Sequence, residues 1–211
     1  MHKIGILGGT FDPVHFGHLR IGLECKEALG LDELRVIPCA VPPHRDSPHA
    51  NAEQRTAMLS TALADTDEFV IDDRELRRTG YSYTVDTLTA LKAEFPEAAF
   101  YLIIGSDSFQ SLPRWHNWKS ILALSNIVVA QRPDHGDDMA SETGIKLKSR
   151  FCSVDEIKQS ISEKITFVGV SQLGISATDI RERIKKNKSV KYLLPDSVIT
   201  YIKNQALYKR C

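Results

Sequence analysis

The sequence predicts an α/β fold, an open, doubly wound parallel sheet with a small helical part at its C-terminal end. Three observations point there. Short apolar runs alternate with stretches of helical spacing along most of the 211 residues, as a chain of βα units requires. The runs Phe100–Ile104 and Ile127–Ala130 are apolar throughout, the pattern of strands covered on both faces. The first and fourth runs end at glycine, in Gly8-Gly9 and Gly105, where a chain leaving a sheet can turn closely.

In chain order, Lys3–Leu7 reads as the first strand, and Leu19–Leu29 has helical spacing that stops at Gly30. Leu34–Pro38 is a second strand. The loop after it contains Pro42-Pro43-His44-Arg45, which cannot be helical. Asn51 and Gln54 form a capping pair for a helix running to about Ala64. Phe69–Asp72 is a third strand, and residues 84–95 are a helix ended near Pro96. Phe100–Ile104 and Ile127–Ala130 are strands on either side of a helix at Asn117–Leu124, while residues 133–150 are polar and follow no period. Ile165–Val168 reads as the last strand, and helices at Ser176–Asn187 and Asp196–Asn204 close the chain. With no internal repeat or low-complexity linker, residues 1–211 read as one domain whose helical part begins near residue 176.

Composition narrows the class. At 42% apolar and 26% charged residues the chain can bury a full core without staples. Lys+Arg and Asp+Glu both total 27, so the bulk attraction of a nucleic-acid or membrane-surface binder is absent. The zero hides a gradient: residues 141–211 carry 14 basic and 7 acidic groups, and the rest has the opposite excess. The N-terminal apolar run is too short for a signal peptide, and no run reaches a membrane span. Cys25, Cys39, Cys152 and Cys211 are scattered without metal-like or disulfide-framework spacing. A cytoplasmic protein with reduced thiols, no membrane partner and no nucleic-acid partner is expected.

The most informative stretch is Gly8-Gly9-Thr10-Phe11-Asp12-Pro13-Val14-His15-Phe16-Gly17-His18. Glycines after a strand let the main chain approach a ligand, and the following helix start faces an anion. His15 and His18 are three apart with Gly17 giving clearance, so both imidazoles can point to one side. A metal pair is a second reading, but no acidic or thiol ligand sits nearby at a suitable spacing. After the last strand comes Gly174-Ile175-Ser176-Ala177-Thr178-Asp179-Ile180-Arg181. Ser176 and Asp179 read as an N-cap and a first-turn acid. Thr178 and Arg181 add a hydroxyl and a guanidinium beside the helix start, an arrangement suited to a polyphosphate. Arg183, Lys185 and Lys186 read as a solvated helix face.

Together these motifs resemble the nucleotidylyltransferase superfamily with its H-x-G-H signature, and more closely the bacterial nicotinate-nucleotide adenylyltransferases. Further matching blocks are Pro42–Arg45, Arg74-Glu75-Leu76 with Ser82-Tyr83-Thr84, Gly105–Ser108 with Pro113-Arg114-Trp115, Arg132-Pro133 and Leu193-Leu194-Pro195. The resemblance implies a Rossmann-like nucleotidyltransferase fold. It also implies an enzyme that joins ATP to nicotinate mononucleotide, giving nicotinate adenine dinucleotide and pyrophosphate, with Mg2+ carried on the ATP.

By the same resemblance, His15, His18, Thr178 and Arg181 carry the catalysis. Gly8, Gly9, Thr10 and Phe11 line the cleft between the nucleotides. Ile104, Gly105 and Asp107 contact the adenosine half, Arg132 lies on the adenine side, and Ser176, Thr178 and Arg181 belong to the ATP side. Thr10, Phe11, His15, Arg45, Tyr83, Thr84 and Trp115 serve the mononucleotide, with Trp115 stacking on the pyridine ring. The family often has I-S-S-T where this chain has Ile175-Ser176-Ala177-Thr178, one hydroxyl fewer. Adenylation of nicotinamide mononucleotide or phosphopantetheine is the second reading, and a nucleotide-binding regulatory module without activity the third.

Overall fold

A computed structural model describes residues 1–42, 48–131, 138–171 and 173–209. Strands β1 (Lys3–Gly9), β2 (Glu33–Pro38), β3 (Val70–Ile71), β4 (Ala99–Gly105), β5 (Asn126–Gln131) and β6 (Ile165–Gly169) form a sheet in the order β3-β2-β1-β4-β5-β6. Every pairing is parallel. The helices are α1 (Phe16–Leu29), α2 (Ala52–Ala62), α3 (Thr84–Glu94), α4 (Ser106–Ser111), α5 (Trp118–Leu124), α6 (Glu142–Leu147), α7 (Val154–Ile157), α8 (Ala177–Lys185) and α9 (Asp196–Asn204). The sheet order reverses between β1 and β4, so the carboxyl ends of these two strands frame the crevice where open α/β sheets bind ligands. Register sets Leu7 beside Ile103, which brings Gly8-Gly9 level with Ile104-Gly105.

Side chains alternate across a strand, so the fully apolar runs feed two cores. From β4, Ala99, Tyr101 and Ile103 enter one core, with Cys25 and Leu29 of α1, Met58 and Leu59 of α2, Ile180 of α8 and Ile202 of α9. Phe100, Leu102 and Ile104 enter the other, with Leu88 and Leu91 of α3 and Ile121 and Leu122 of α5. Each fully buried Leu, Ile, Met or Phe among them stabilises the fold by about 1.5–3 kcal/mol.

The expected strands all appear, β3 reduced to two residues. Helix α1 starts at Phe16, three residues before the apolar spacing, because His15 is its N-cap residue. Gly30 ends it in the left-handed region at φ 60°. The Asn51–Gln54 capping box forms as expected. Helix α4 follows β4 directly in a segment where the sequence predicts no element, and α6 lies in the stretch without a period. Among the described residues no helix is long and apolar enough to cross a membrane, and Cys25 and Cys152 are free thiols.

Candidate active site

A cavity of about 260 Å³ opens at the carboxyl ends of β1 and β4. Of the residues expected at the site, Gly8, Gly9, His18, Thr84, Ile104, Gly105 and Trp115 line it. A β-carbon on Gly8 or Gly105 would meet no protein atom within 4 Å, so both present bare main chain to the cavity. A β-carbon on Gly9 would instead come 3.0 Å from the Phe11 ring. Phe11, buried and held in the left-handed region at φ 50°, closes the turn beneath that glycine. Such a conformation is costly for an aromatic residue and is kept by its surroundings. The Phe11 ring also meets His18 edge-on at 5.1 Å.

His15 and His18 face the same side, as the spacing predicts. Their rings stack with centroids 3.7 Å apart and planes 25° apart. Gly17 permits this: a β-carbon there would stand 3.0 Å from Cε1 and Nδ1 of His15 and 3.5 Å from the Ile175 carbonyl oxygen. Burial lowers the His15 pKa to about 4, and its Nδ1 is enclosed without a hydrogen-bond partner. The imidazole is therefore neutral at pH 7 in the free protein. The first turn of α1 carries no acidic residue and no side-chain cap, so the positive end of a 14-residue helix is left to attract an anion.

Helix α8 reaches this turn from the far end of the chain. Ser176 caps it, its hydroxyl accepting from the Asp179 main-chain nitrogen at 3.1 Å, which is the cap the sequence predicts. Arg181 donates through Nη1 to the Asp12 main-chain oxygen at 2.6 Å and through Nη2 to the Thr178 hydroxyl at 3.2 Å. Thr178 is exposed and Arg181 half-buried. The two motifs therefore meet, with Asp12 between them. Arg183, Lys185 and Lys186 pair with Asp179 and Glu182 on the solvated face.

Tyr83 is the N-cap residue of α3, and its ring lies tilted against His116 with centroids 4.3 Å apart and planes 32° apart. The Tyr83 N–H donates to the Tyr81 oxygen at 3.1 Å. Main-chain donors for a ligand therefore come from Thr84 and the turn it begins. Trp115 donates through Nε1 to the Ser111 hydroxyl at 3.2 Å, which fixes its indole at the cavity. Thr10 sits in the β1–α1 loop, its oxygen accepting from Arg55 at 2.8 Å, and Asp107 is exposed on the first turn of α4. Arg45 and Arg132 lie outside the described residues.

Sequence reasoning gave no role to three residues that hold this site. Asp12 is buried; its carboxylate accepts from the His49 and Ala50 main-chain nitrogens at 2.8 and 3.1 Å and from the Tyr208 hydroxyl at 2.7 Å. Burial and this carboxylate push the Tyr208 phenol pKa strongly up. Arg55 is 1% exposed and donates to the oxygens of Thr10, Cys39, Ala40 and Ala50. Its burial lowers its pKa, opposed by Cys39, Asp12 and Tyr208. Glu75 lines the cavity. Asp12 carried a signal in its place inside the first motif and Glu75 in its matching block, while Arg55 carried none.

A family model described as cytidylyltransferase-like matches residues 6–183. The protein named probable nicotinate-nucleotide adenylyltransferase in Pseudomonas syringae pv. tomato is 45% identical over 208 residues, covering 98% of this chain and 94% of that protein. Its namesake in Methylococcus capsulatus is 44% identical over 209 residues, covering 98% and 100%. Among solved structures, the Plasmodium falciparum nicotinic acid mononucleotide adenylyltransferase complexed with NaAD has a TM-score of 0.76 at 19% identity, covering 99% of this chain and 98% of that one. That likeness is one of fold and agrees with the six-stranded parallel sheet. Similar along its whole length to the first two proteins, the chain belongs to the cytidylyltransferase-like family, among its nicotinate-nucleotide adenylyltransferases.

Proposed function

We propose that the chain transfers the adenylyl group of ATP to nicotinate mononucleotide, releasing pyrophosphate and forming nicotinate adenine dinucleotide. The observation that carries this reading is the meeting of the two phosphate motifs at the sheet's switch point, through the Arg181 bond to Asp12. The attacking atom is a phosphate oxygen of the mononucleotide, already anionic at neutral pH, so no general base is required. The reaction needs the two nucleotides in line and the growing charge on the α-phosphate and leaving pyrophosphate balanced.

In this reading His15, His18, Thr178 and Arg181 act on the phosphates. His15 stands neutral in the free protein and gains a proton more readily once a polyphosphate lies against it. Gly8, Gly9, Thr10 and Phe11 keep the cleft between the nucleotides open to main-chain approach. Ile104, Gly105, Asp107, Arg132 and Ser176 belong to the ATP side, and Arg45, Tyr83, Thr84 and Trp115 to the mononucleotide. Magnesium enters as part of the substrate, riding on the ATP phosphates. The whole chain serves as one nucleotidyltransferase unit, its C-terminal helical part supplying the second phosphate motif.

The test is pyrophosphate release from MgATP with nicotinate mononucleotide, run beside nicotinamide mononucleotide. Release with the acid, and less with the amide, is expected. No release with any pyridine mononucleotide overturns the reading.

A further inference from the structure

We infer that Glu75 is a positioning residue for the pyridine half of the site, fastening the turn into α3 and the loop after β2 together as one wall of the cavity; the inference rests on the adenylyltransferase reading above. Glu75 is 9% exposed and lines the cavity without belonging to either phosphate motif. Its Oε1 accepts from the Thr87 hydroxyl on α3 at 2.6 Å, and the Ser82 hydroxyl lies close enough to the same carboxyl to favour its charged form. Ser82 is tied in turn to the loop after β2. Its Oγ accepts from the Ala40 nitrogen at 3.0 Å, and its own nitrogen donates to the Val41 oxygen at 3.0 Å. One carboxyl thus joins three pieces of chain: its own turn after β3, the start of α3 with Thr84, and the Cys39–Val41 segment.

Packing alone does not account for a carboxyl here. Arg78 donates to the Thr87 hydroxyl at 3.3 Å, so the group bonded to the carboxyl is a hydroxyl. Burying a carboxyl without a bonded cation is unfavourable, and an apolar side chain would fill the space at less cost. Burial holds the Glu75 pKa above the usual carboxylate range, with Asp72 adding to the rise, and the Thr87 and Ser82 hydroxyls and Arg78 opposing it. The arrangement gains a fixed main chain at Ser82–Thr84. With the Ser82 and Tyr83 nitrogens donating to Val41 and Tyr81, the Thr84 N–H held in place there favours a pyridine carboxylate, which accepts from it through either oxygen, over an amide, whose NH₂ group cannot.

The test compares steady-state pyrophosphate release by the full chain and by Glu75→Ala and Glu75→Gln. Losing the clasp raises KM for nicotinate mononucleotide by about 10-fold in Glu75→Ala, the equivalent of one buried hydrogen-bonded group. KM for ATP stays near the wild-type value, and the preference for the acid over nicotinamide mononucleotide shrinks. Glu75→Gln, whose amide oxygen can still accept from the Thr87 hydroxyl, restores most of the mononucleotide KM. Should Glu75→Ala fail to fold, Thr87→Val removes one of the hydroxyls at unchanged shape and shows the same selective rise, smaller in size. With an active wild type, equal movement of both KM values, or none, overturns the inference and leaves the adenylyltransferase reading standing. An inactive wild type overturns the reading and the inference with it.

Discussion

Arg181 on α8 donates to the main-chain oxygen of Asp12 in the β1–α1 loop at 2.6 Å, across 169 positions of sequence. The same guanidinium holds the Thr178 hydroxyl, so it is fixed at two points before any phosphate arrives. A lysine keeps the charge but not the planar fork. Arg181→Lys is expected to lose about 100-fold in kcat, the scale of one oriented donor to a developing charge, with a smaller change in KM for ATP. A near-normal kcat removes Arg181 from the phosphate site.

His18 lines the cavity, stacked on His15 and met edge-on by Phe11. Because it is only half-buried, removing its ring leaves the core intact. His18→Ala should lower kcat by about 100- to 1000-fold while circular dichroism and the urea midpoint stay close to wild type. Turnover at the wild-type rate refutes the assignment.

His15 makes stability depend on pH in a stated direction. Its folded pKa is lowered by burial from 6.5 to about 4, so between those values the unfolded chain binds the proton and the folded chain does not. Its contribution is complete above pH 6.5 and is lost as pH falls to about 4, a loss of up to about 3 kcal/mol. Urea midpoints measured across this window should fall with pH in the wild type and fall less in His15→Gln. Equal slopes would show that other groups set the acid limb.

The sheet was legible because the runs Phe100–Ile104 and Ile127–Ala130 are apolar on every residue, and Asn51 with Gln54 marks a helix start by local chemistry. Helix α4 was not. Its sequence, Ser106–Ser111, is rich in poor helix formers, and it is held by tertiary bonds such as Ser106 Oγ to the buried Asp138 carboxylate at 2.6 Å. Helix α7 carried a readable signal that went unused, the Ser153–Glu156 capping box. At the site, side chains within a motif were legible through spacing, as with His15, Gly17 and His18. The joints between motifs were not. Tyr208 meets Asp12 across 196 positions and Arg55 meets Thr10 across 45, and no local pattern encodes such pairs.

Two glycines separate space for a ligand from space for a side chain. A methyl on Gly8 meets no protein atom within 4 Å but projects at the cavity, so Gly8→Ala should leave the urea midpoint unchanged and raise KM for the nucleotides. A methyl on Gly17 meets the His15 ring at 3.0 Å. Alanine favours the helix by about 0.5–1 kcal/mol over glycine, so a fall in kcat for Gly17→Ala without loss of helix reports displacement of His15. Unchanged kinetics in both variants would place the phosphates elsewhere.

Arg55 of α2 is the largest fully buried side chain among the described residues. Its guanidinium holds the oxygens of Cys39 at 2.7 Å, Thr10 at 2.8 Å, Ala50 at 3.3 Å and Ala40 at 3.4 Å. It thereby binds the glycine-rich turn to the loop after β2. Arg55→Met fills much of the volume but strands these carbonyls, and is expected to cost about 3 kcal/mol, read as a lower urea midpoint. Thr10 follows the glycines that line the cavity and Cys39 lines it, so the surviving folded enzyme should also show raised KM for both nucleotides. Arg55→Lys should recover only part of either loss, because one ammonium cannot meet four oxygens spread around a planar fork. Full recovery by lysine would mean that charge, rather than the geometry of the fork, holds the two loops together.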